Sequence, residues 1–275
     1  MLHLNLGQSL YYLERFKEAE DYMNKALTLI EEPKWERDHS QKWMILLGLG
    51  NVYNAQGLYE QAQSMWFQAL DFNEKTKGKD HPEVQAILVE LASFYKTQKR
   101  YQEAKERYFQ IVCIREKTEE EGDAVTAVNR YHYAYCLLNL NCYEEAKSAF
   151  EKVLVSELKL YGPDSSELTM THWSLAKCLR KLDRPKDAAA HRRRCCELDA
   201  VEYGLGAPTV LMSKLELSKD LRAAEEDQAA LEVIQEALQE ASAVEDENED
   251  HLEWVEKLEK LRGELQEERE KPPSP

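Results

Sequence analysis

Aromatic and cationic side chains share helical spacing in the second half of the chain. Tyr131 and Tyr135 lie one turn apart, and Lys177 follows Trp173 at the same spacing. Aromatic surface beside positive charge is the chemistry that binds an acidic peptide. Packing of the aromatics between helices, with the cations simply solvated, is an equally weighted alternative. The side chains of this set are Tyr131, Tyr135, Trp173, Lys177, Arg180, Lys181, Lys219 and Arg222.

The sequence carries none of the motifs sought for catalysis or nucleotide binding: no phosphate loop, no dinucleotide fingerprint, no nucleophile elbow and no HExxH pair. His132 and Cys136 lie four residues apart, and Cys195 and Cys196 follow His191 closely. Ligands from one helix do not complete a four-ligand zinc site, and free cysteines are commonly just buried. We therefore expect no enzyme activity, no metal and no cofactor.

Arg192, Arg193 and Arg194 form a run of cations that could bind phosphate or an acidic segment. On a helix, three successive side chains fan over most of the circumference. A solvated face is therefore the favoured interpretation, with the stem of Arg192 lying over the neighbouring repeat.

The charge of the chain is concentrated at its C-terminal end. The formal net charge is -16, and residues 225 to 275 contribute 18 acidic and 5 basic side chains to it. Nucleic-acid binding would need an excess of Lys and Arg along a groove, so we do not expect it. No apolar run approaches the roughly 20 residues of a membrane span, and the N-terminus lacks the pattern of a secretory signal. Six cysteines without a CxxC pair favour a reducing, cytoplasmic compartment.

A strict internal repeat organises the chain. Its clearest copy is residues 49 to 82, where two helical stripes flank a corner at Gly57. Large side chains recur four residues after a small anchor residue, and small ones recur twelve residues before it. The anchor recurs at spacings of 43 and then 42 residues, at Ala19, Ala62, Ala104, Ala146, Ala188 and Ala230. The positions four residues later are Met23, Trp66, Tyr108, Phe150, Arg192 and Ile234.

These small and large positions resemble the tetratricopeptide repeat. A long second helix, ending in segments such as GKDHPEV (78 to 84), resembles the kinesin light chain and nephrocystin-type variant. The resemblance covers about residues 1 to 243. It implies an all-α fold, a right-handed superhelical solenoid of about six antiparallel helix pairs. The chain starts inside a predicted helix without a cap, which favours a shortened chain or an array whose earlier members are missing.

Between the repeats, the loops read as helix starts. Asp38, Asp80 and Asp164 recur at the period as N-cap candidates, with Gly122 and Gly206 in the equivalent place. The spacings from Asp80 to Glu83 and from Asp164 to Glu167 predict capping boxes.

In this family the first helices line the concave side, which implies a peptide-binding groove there. Kinesin light chains carry asparagines just before the Leu-Ala pair, and this chain has Gly48, Glu90, His132 and Ser174 instead, so their cargo specificity does not transfer. The candidate groove residues are Asn51, Asn54, Ser93, Lys96, Tyr131, Tyr135, Leu138, Trp173, Lys177, Arg180, Lys181, Lys219 and Arg222.

The favoured function is a non-catalytic scaffold or adaptor that holds a peptide segment of a partner protein in this groove. The alternative is an architectural fragment of a larger sensor, ciliary or transport protein that binds through its ends or convex face.

After the repeat array of residues 1 to 243, residues 244 to 270 predict an acidic amphipathic helix, and residues 271 to 275 a disordered tail. Trp254, Leu258, Leu261 and Leu265 share one stripe of that helix, which favours a cap on the last pair. The alternative is an internal competitor, because a tryptophan flanked by acids could contact Lys177, Arg180 and Arg222.

Overall fold

The computed structural model describes residues 2–31, 41–118, 123–244 and 249–270, and within them it contains thirteen α-helices and no strand. The chain divides into two compact units, unit 1 (Met1–Thr118) and unit 2 (Glu119–Pro275). The helices of unit 1 are α1 (Leu2–Tyr12), α2 (Phe16–Glu31), α3 (Lys42–Ala55), α4 (Tyr59–Lys77), α5 (Pro82–Thr97) and α6 (Tyr101–Thr118). Those of unit 2 are α7 (Ala124–Asn139), α8 (Tyr143–Tyr161), α9 (Thr169–Lys181), α10 (Pro185–Tyr203), α11 (Pro208–Ala223), α12 (Asp227–Ala241) and α13 (Glu249–Glu270).

Successive helices form antiparallel pairs, three in each unit, and within a unit each pair packs on the next. The six anchor alanines are fully buried, as close contact between the two helices of a pair requires. All six side chains four residues further on are buried as well. The all-α helical-repeat prediction is therefore confirmed.

The corner between the two helices of each pair has the same backbone in all six repeats. Five residues before each anchor, the backbone is left-handed, with φ between 57° and 78°. In each corner the next amide donates to a carbonyl five residues back, which closes the first helix. The residues in this conformation are Glu14, Gly57, Lys99, Asn141, Asp183 and Glu225. The later repeats, although weak in sequence, thus keep the corner.

The predicted capping boxes are wrong by one residue. The N-cap of α5 is His81, whose Nδ1 accepts from the Glu83 amide at 3.2 Å, while Asp80 lies 3.4 Å from Lys117 Nζ. Ser165 takes the role expected of Asp164: its Oγ accepts from the Glu167 amide, opening a 3₁₀ turn before α9. Any of these polar side chains can cap, so spacing alone does not choose among neighbours.

The other two described loops were also assigned imprecisely from the sequence. Asp123 caps α7 by accepting from the Thr126 amide at 2.8 Å. Gly206 does not cap α11, whose N-cap is Ala207. It has φ +77°, and a Cβ there would lie 2.6 Å from the carbonyl oxygen of Glu240, so glycine is required for the close approach of α12. Asp38, Gly122 and residues 271 to 275 lie outside the described residues.

Candidate functional site

The first helices of the pairs are α1, α3 and α5 in unit 1 and α7, α9 and α11 in unit 2. The surface that these helices contribute is called the first-helix face of each unit. The candidate groove residues all lie on these helices. Their surroundings differ so much that the two faces are described separately.

On unit 1, the first-helix face contains a pocket of about 300 Å³. Asn51 lines it and also accepts a hydrogen bond from Trp66 Nε1 at 2.9 Å, so its side chain is held by the neighbouring helix. Other lining side chains are Tyr11, Tyr12, Trp43 and Glu90. Burial raises the pKa of the Glu90 carboxyl group.

The other predicted residues of unit 1 do not gather in this pocket. Asn54 is exposed, and Ser93 is partly buried. The ammonium of Lys96 lies 6.0 Å from the ring centroid of Tyr108, at the outer limit of a cation–π contact.

On unit 2, two predicted groove residues belong to a charge cluster that joins three helices. The guanidinium carbon of Arg192 lies 3.6 Å from the ring centroid of Trp173. Arg192 Nε is 3.4 Å from Asp220 Oδ2, and Arg180 Nε is 3.1 Å from Asp220 Oδ1. Arg192 and Asp220 are 4% and 3% exposed, so the expected solvated face at Arg192 is wrong. Burial raises the pKa of Asp220 to about 6, against the opposing effect of the two arginines.

The tyrosines of α7 mostly face the interior of unit 2. Tyr131 packs edge-on against Phe150 at 5.4 Å between centroids, and its hydroxyl lies 3.3 Å from Ser174 Oγ. Tyr135 is partly buried against the same apolar cluster. Leu138 is buried within that cluster, so its assignment to a binding groove is wrong.

The remaining cations of unit 2 differ in their partners. Lys177 and Lys181, one and two turns after Trp173, are exposed, and neither ammonium has an ion pair among the described residues. Lys219 pairs with Glu216 at 2.6 Å on its own helix. Arg222 reaches α13, with Glu264 Oε2 at 2.9 Å and Glu268 Oε1 close by.

Helix α13 packs on α11 and α12 through its leucine stripe. Leu258, Leu261 and Leu265 are buried in the cluster that Ile234 and Ala237 also occupy. Trp254 is partly buried beside them, with the ammonium of Lys257 4.0 Å from its ring centroid.

A histidine pair between α9 and α10 was missed by sequence reasoning. His172 Nδ1 and His191 Nδ1 are 2.8 Å apart, so one ring donates and the other accepts. Burial, together with the charge of the adjacent His191, lowers the pKa of His172 to about 4. Nothing in the sequence links these two positions, which are 19 residues apart. Among the described residues, no group of three or more His, Cys, Asp or Glu side chains is placed to hold a metal ion, and the six cysteines are free thiols.

Asp220 was missed too, although the sequence contained a signal for it. It occupies a repeat column that begins with the exposed Ser9, and the next four members are buried and apolar: Val52, Phe94, Cys136 and Cys178. Asp220 lies in that column, and Arg192 lies in the column of Trp66 on the neighbouring helix. Opposite charges at two normally buried positions of adjacent helices indicate a buried ion pair.

Comparison with known proteins agrees with this architecture. Models of the tetratricopeptide repeat match residues 44–117, 1–32 and 127–154. A solved structure of kinesin light chain-type repeats from Podosopora anserina is 20% identical, with a TM-score of 0.63, covering 77% of this chain and 100% of that one. BtubC (BKLC) from P. vanneervenii is 15% identical, with a TM-score of 0.61 and 94% of each chain covered. No protein with a curated description matches the sequence significantly.

Residues 1–32, 44–117 and 127–154 therefore match the tetratricopeptide repeat family, and the chain resembles the kinesin light chain-type repeats in fold. This family typically provides non-catalytic scaffolds for protein–protein interaction. Acl4, an assembly chaperone of RpL4, is also similar in fold, with 16% identity, a TM-score of 0.54 and 98% of each chain covered. None of the helices in the described ranges is both long and apolar enough to cross a membrane.

Proposed function

We propose that the protein is a non-catalytic scaffold that binds an acidic segment of a partner protein on the first-helix face of unit 2. The observation that carries this proposal is the pair Lys177 and Lys181. Both are exposed, lie on one side of α9 beyond Trp173, and have no acidic partner among the described residues. An acidic segment would give them charge-assisted hydrogen bonds.

Trp173 and Arg180 have a supporting role in this proposal. One ring face of Trp173 is covered by Arg192, and Arg180 is committed to Asp220. These contacts fix α9 against α10 and α11, so the two lysines are presented by a rigid element. The fold-level similarity to Acl4, an assembly chaperone of another protein, supports a protein partner.

Helix α13 would act in this proposal mainly as a cap on the repeat array of residues 1 to 243. Its three buried leucines cover the last pair, as the end of a stack of repeats requires. The contacts of Arg222 with Glu264 and Glu268 also leave that arginine engaged, which restricts the acidic segment to the two lysines of α9.

The test is a peptide-array binding experiment with the full chain and a double variant, Lys177→Glu with Lys181→Glu. The array holds acid-rich peptides with and without a tryptophan. We expect the variant to bind the acidic peptides at least tenfold more weakly, a loss of about 1.4 kcal/mol or more in binding free energy. The matched control reverses two exposed cations elsewhere in unit 2, Lys152→Glu with Arg193→Glu, and should retain binding. Equal binding by both double variants contradicts the proposal.

A second candidate function uses the second helices of unit 2. Apolar side chains are exposed toward the C-terminal ends of α8 and α10, including Val155 at 54%, Val201 at 81% and Leu205, which follows α10, at 64%. Contiguous exposed apolar surface marks contact sites, so these side chains are candidates for a second contact surface. Two sets of variants distinguish the candidates. If Val201→Asp and Leu205→Asp abolish partner binding and the Lys177 and Lys181 double variant does not, the partner binds this surface instead.

A further inference from the structure

The pocket on unit 1 has walls of a particular chemistry. Tyr11 and Tyr12 of α1 and Trp43 of α3 contribute aromatic rings, and Met44 adds apolar surface. Among the described residues that line it, Glu90 of α5 is the one charged side chain. An aromatic enclosure with a single negative charge is complementary to a positive ion.

Two polar groups of this pocket have no partner among the described residues. The carboxylate of Glu90 has no ion pair or hydrogen bond to any described residue, and burial raises its pKa. The indole Nε1 of Trp43 is buried, and no described residue accepts a hydrogen bond from it. Buried polar groups are normally satisfied, so the indole N–H of Trp43 requires an explanation. The partly buried carboxylate of Glu90 lacks a counter-charge. Asp220, the buried carboxylate of unit 2, has two arginines.

We propose that the pocket binds a cationic side chain, a lysine or an arginine, of a partner protein. The charge lies against the Glu90 carboxylate and the ring faces of Tyr11, Tyr12 and Trp43, and the aliphatic stem lies along Met44. The indole of Trp43 donates to a carbonyl of the same segment. The volume of about 300 Å³ is at the lower end for ligand pockets and suits a long side chain.

Other occupants fit the pocket less well. An acidic side chain would be repelled by Glu90. An apolar side chain would desolvate that carboxylate further without a counter-charge, which is costly. The inference concerns a ligand of the opposite charge to the segment proposed for unit 2, and it does not depend on that proposal.

The experiment follows the indole N–H signal of Trp43 in the full, ¹⁵N-labelled chain, with the signal assigned by Trp43→Phe. The probes are three blocked tripeptides, Ala-Lys-Ala, Ala-Arg-Ala and Ala-norleucine-Ala. Norleucine keeps the stem of lysine and lacks its charge. We expect saturable shifts with the lysine or arginine peptide and at least tenfold weaker binding of the norleucine peptide. Glu90→Gln should weaken the cationic peptide at least tenfold, whereas Glu90→Asp, which keeps the charge, should weaken it less.

The matched control is Glu60→Gln, which removes an exposed carboxylate of unit 1 and should leave binding unchanged. Three results would overturn the proposal. The first is norleucine binding as tight as lysine binding, which needs no variant to observe. The second is unchanged affinity in Glu90→Gln, and the third is the absence of any saturable shift up to about 10 mM of either cationic peptide.

Discussion

Trp66 in unit 1 and Arg192 in unit 2 occupy the same position of the repeat, four residues after the anchor alanine, and both are buried. Trp66 is accommodated by neighbours without charge. Gly50 leaves space for its ring, since a Cβ at that position would lie 2.4 Å from the indole nitrogen. Asn51 accepts the hydrogen bond of the indole N–H. Around Arg192 the solution is electrostatic, with Trp173 over the guanidinium and Asp220 beside it. The repeat thus demands volume at this position, and a charge there requires companion residues.

The residues that surround Trp66 and Arg192 also determine which charged groups on each first-helix face lack a partner. In unit 2, the buried carboxylate is used internally by Arg180 and Arg192, and the cations left over are lysines of α9. In unit 1, Trp66 is apolar and needs no counter-charge, and the carboxylate of Glu90 has no partner among the described residues. The unpaired charges Lys177 and Lys181 of unit 2 and Glu90 of unit 1 therefore differ in sign, although the two faces derive from the same repeat.

The largest effect is expected for Trp66→Ala, which we expect to destabilise unit 1 by about 3 to 5 kcal/mol because a large buried side chain leaves a cavity. Urea denaturation combined with amide hydrogen exchange measures the change and assigns it to unit 1. The control is Phe67→Ala, the next residue along α4, which removes a side chain that is 37% exposed. Similar stability of the two variants would mean that the equivalence with Arg192 is wrong.

A somewhat smaller loss of stability, about 3 kcal/mol, is expected for Arg192→Met. It preserves most of the volume but leaves Asp220 buried with only the partly exposed Arg180 as a partner. The double variant Arg192→Met with Asp220→Leu should recover most of the loss, because apolar side chains of similar size can replace a buried ion pair. Arg193→Met, at the exposed neighbouring position, should stay within about 0.5 kcal/mol of the parent. A double variant no more stable than Arg192→Met would show that the cluster acts through shape alone.

The architecture could be predicted because the repeat presents the same signal six times. The anchor alanines and the positions after them define helix pairs, and packing between neighbouring helices leaves little freedom in their register. The cap residues could not be assigned in this way. Asp80 and His81, or Asp164 and Ser165, are adjacent polar residues that can each accept from the first turn of a helix, and their choice depends on the loop backbone.

The candidate site was predictable only in part, because spacing identifies which residues share a helix face and not whether that face is covered. Tyr131 and Leu138 do share a face of α7, but that face packs on Phe150 and its neighbours. Arg192 was expected to be solvated because arginine usually is, whereas its repeat position and its partner Asp220 override that preference. Comparing columns of the repeat, rather than residue types, would have found both charges.

The last and smallest effect concerns the free energy of unfolding, which should depend on pH through the buried Asp220 of unit 2. The pKa of Asp220 is raised from 3.8 to about 6, with burial as the main cause. The charged groups facing it are Arg180 on α9, Arg192 on α10 and Glu216 on α11. Because the folded protein binds this proton more tightly than the unfolded chain, the contribution of Asp220 to stability is full below about pH 4. It is lost as the pH rises through 6, by about 2 to 3 kcal/mol in total.

The measurement is the free energy of unfolding of the parent minus that of Asp220→Asn, which cannot titrate, determined between pH 4 and 7.5. The difference should fall as the pH rises, because the parent must ionise a buried group that the variant lacks. The matched control is Asp71→Asn in unit 1, where the carboxylate is exposed and pairs with Lys75 on its own helix; exposed pairs contribute little to stability, so this variant should stay within about 1 kcal/mol of the parent. A flat difference for Asp220→Asn would mean that the two arginines fully compensate its burial. In that case the burial of the charged cluster at Arg192 would destabilise the protein no more than the burial of the uncharged Trp66 does.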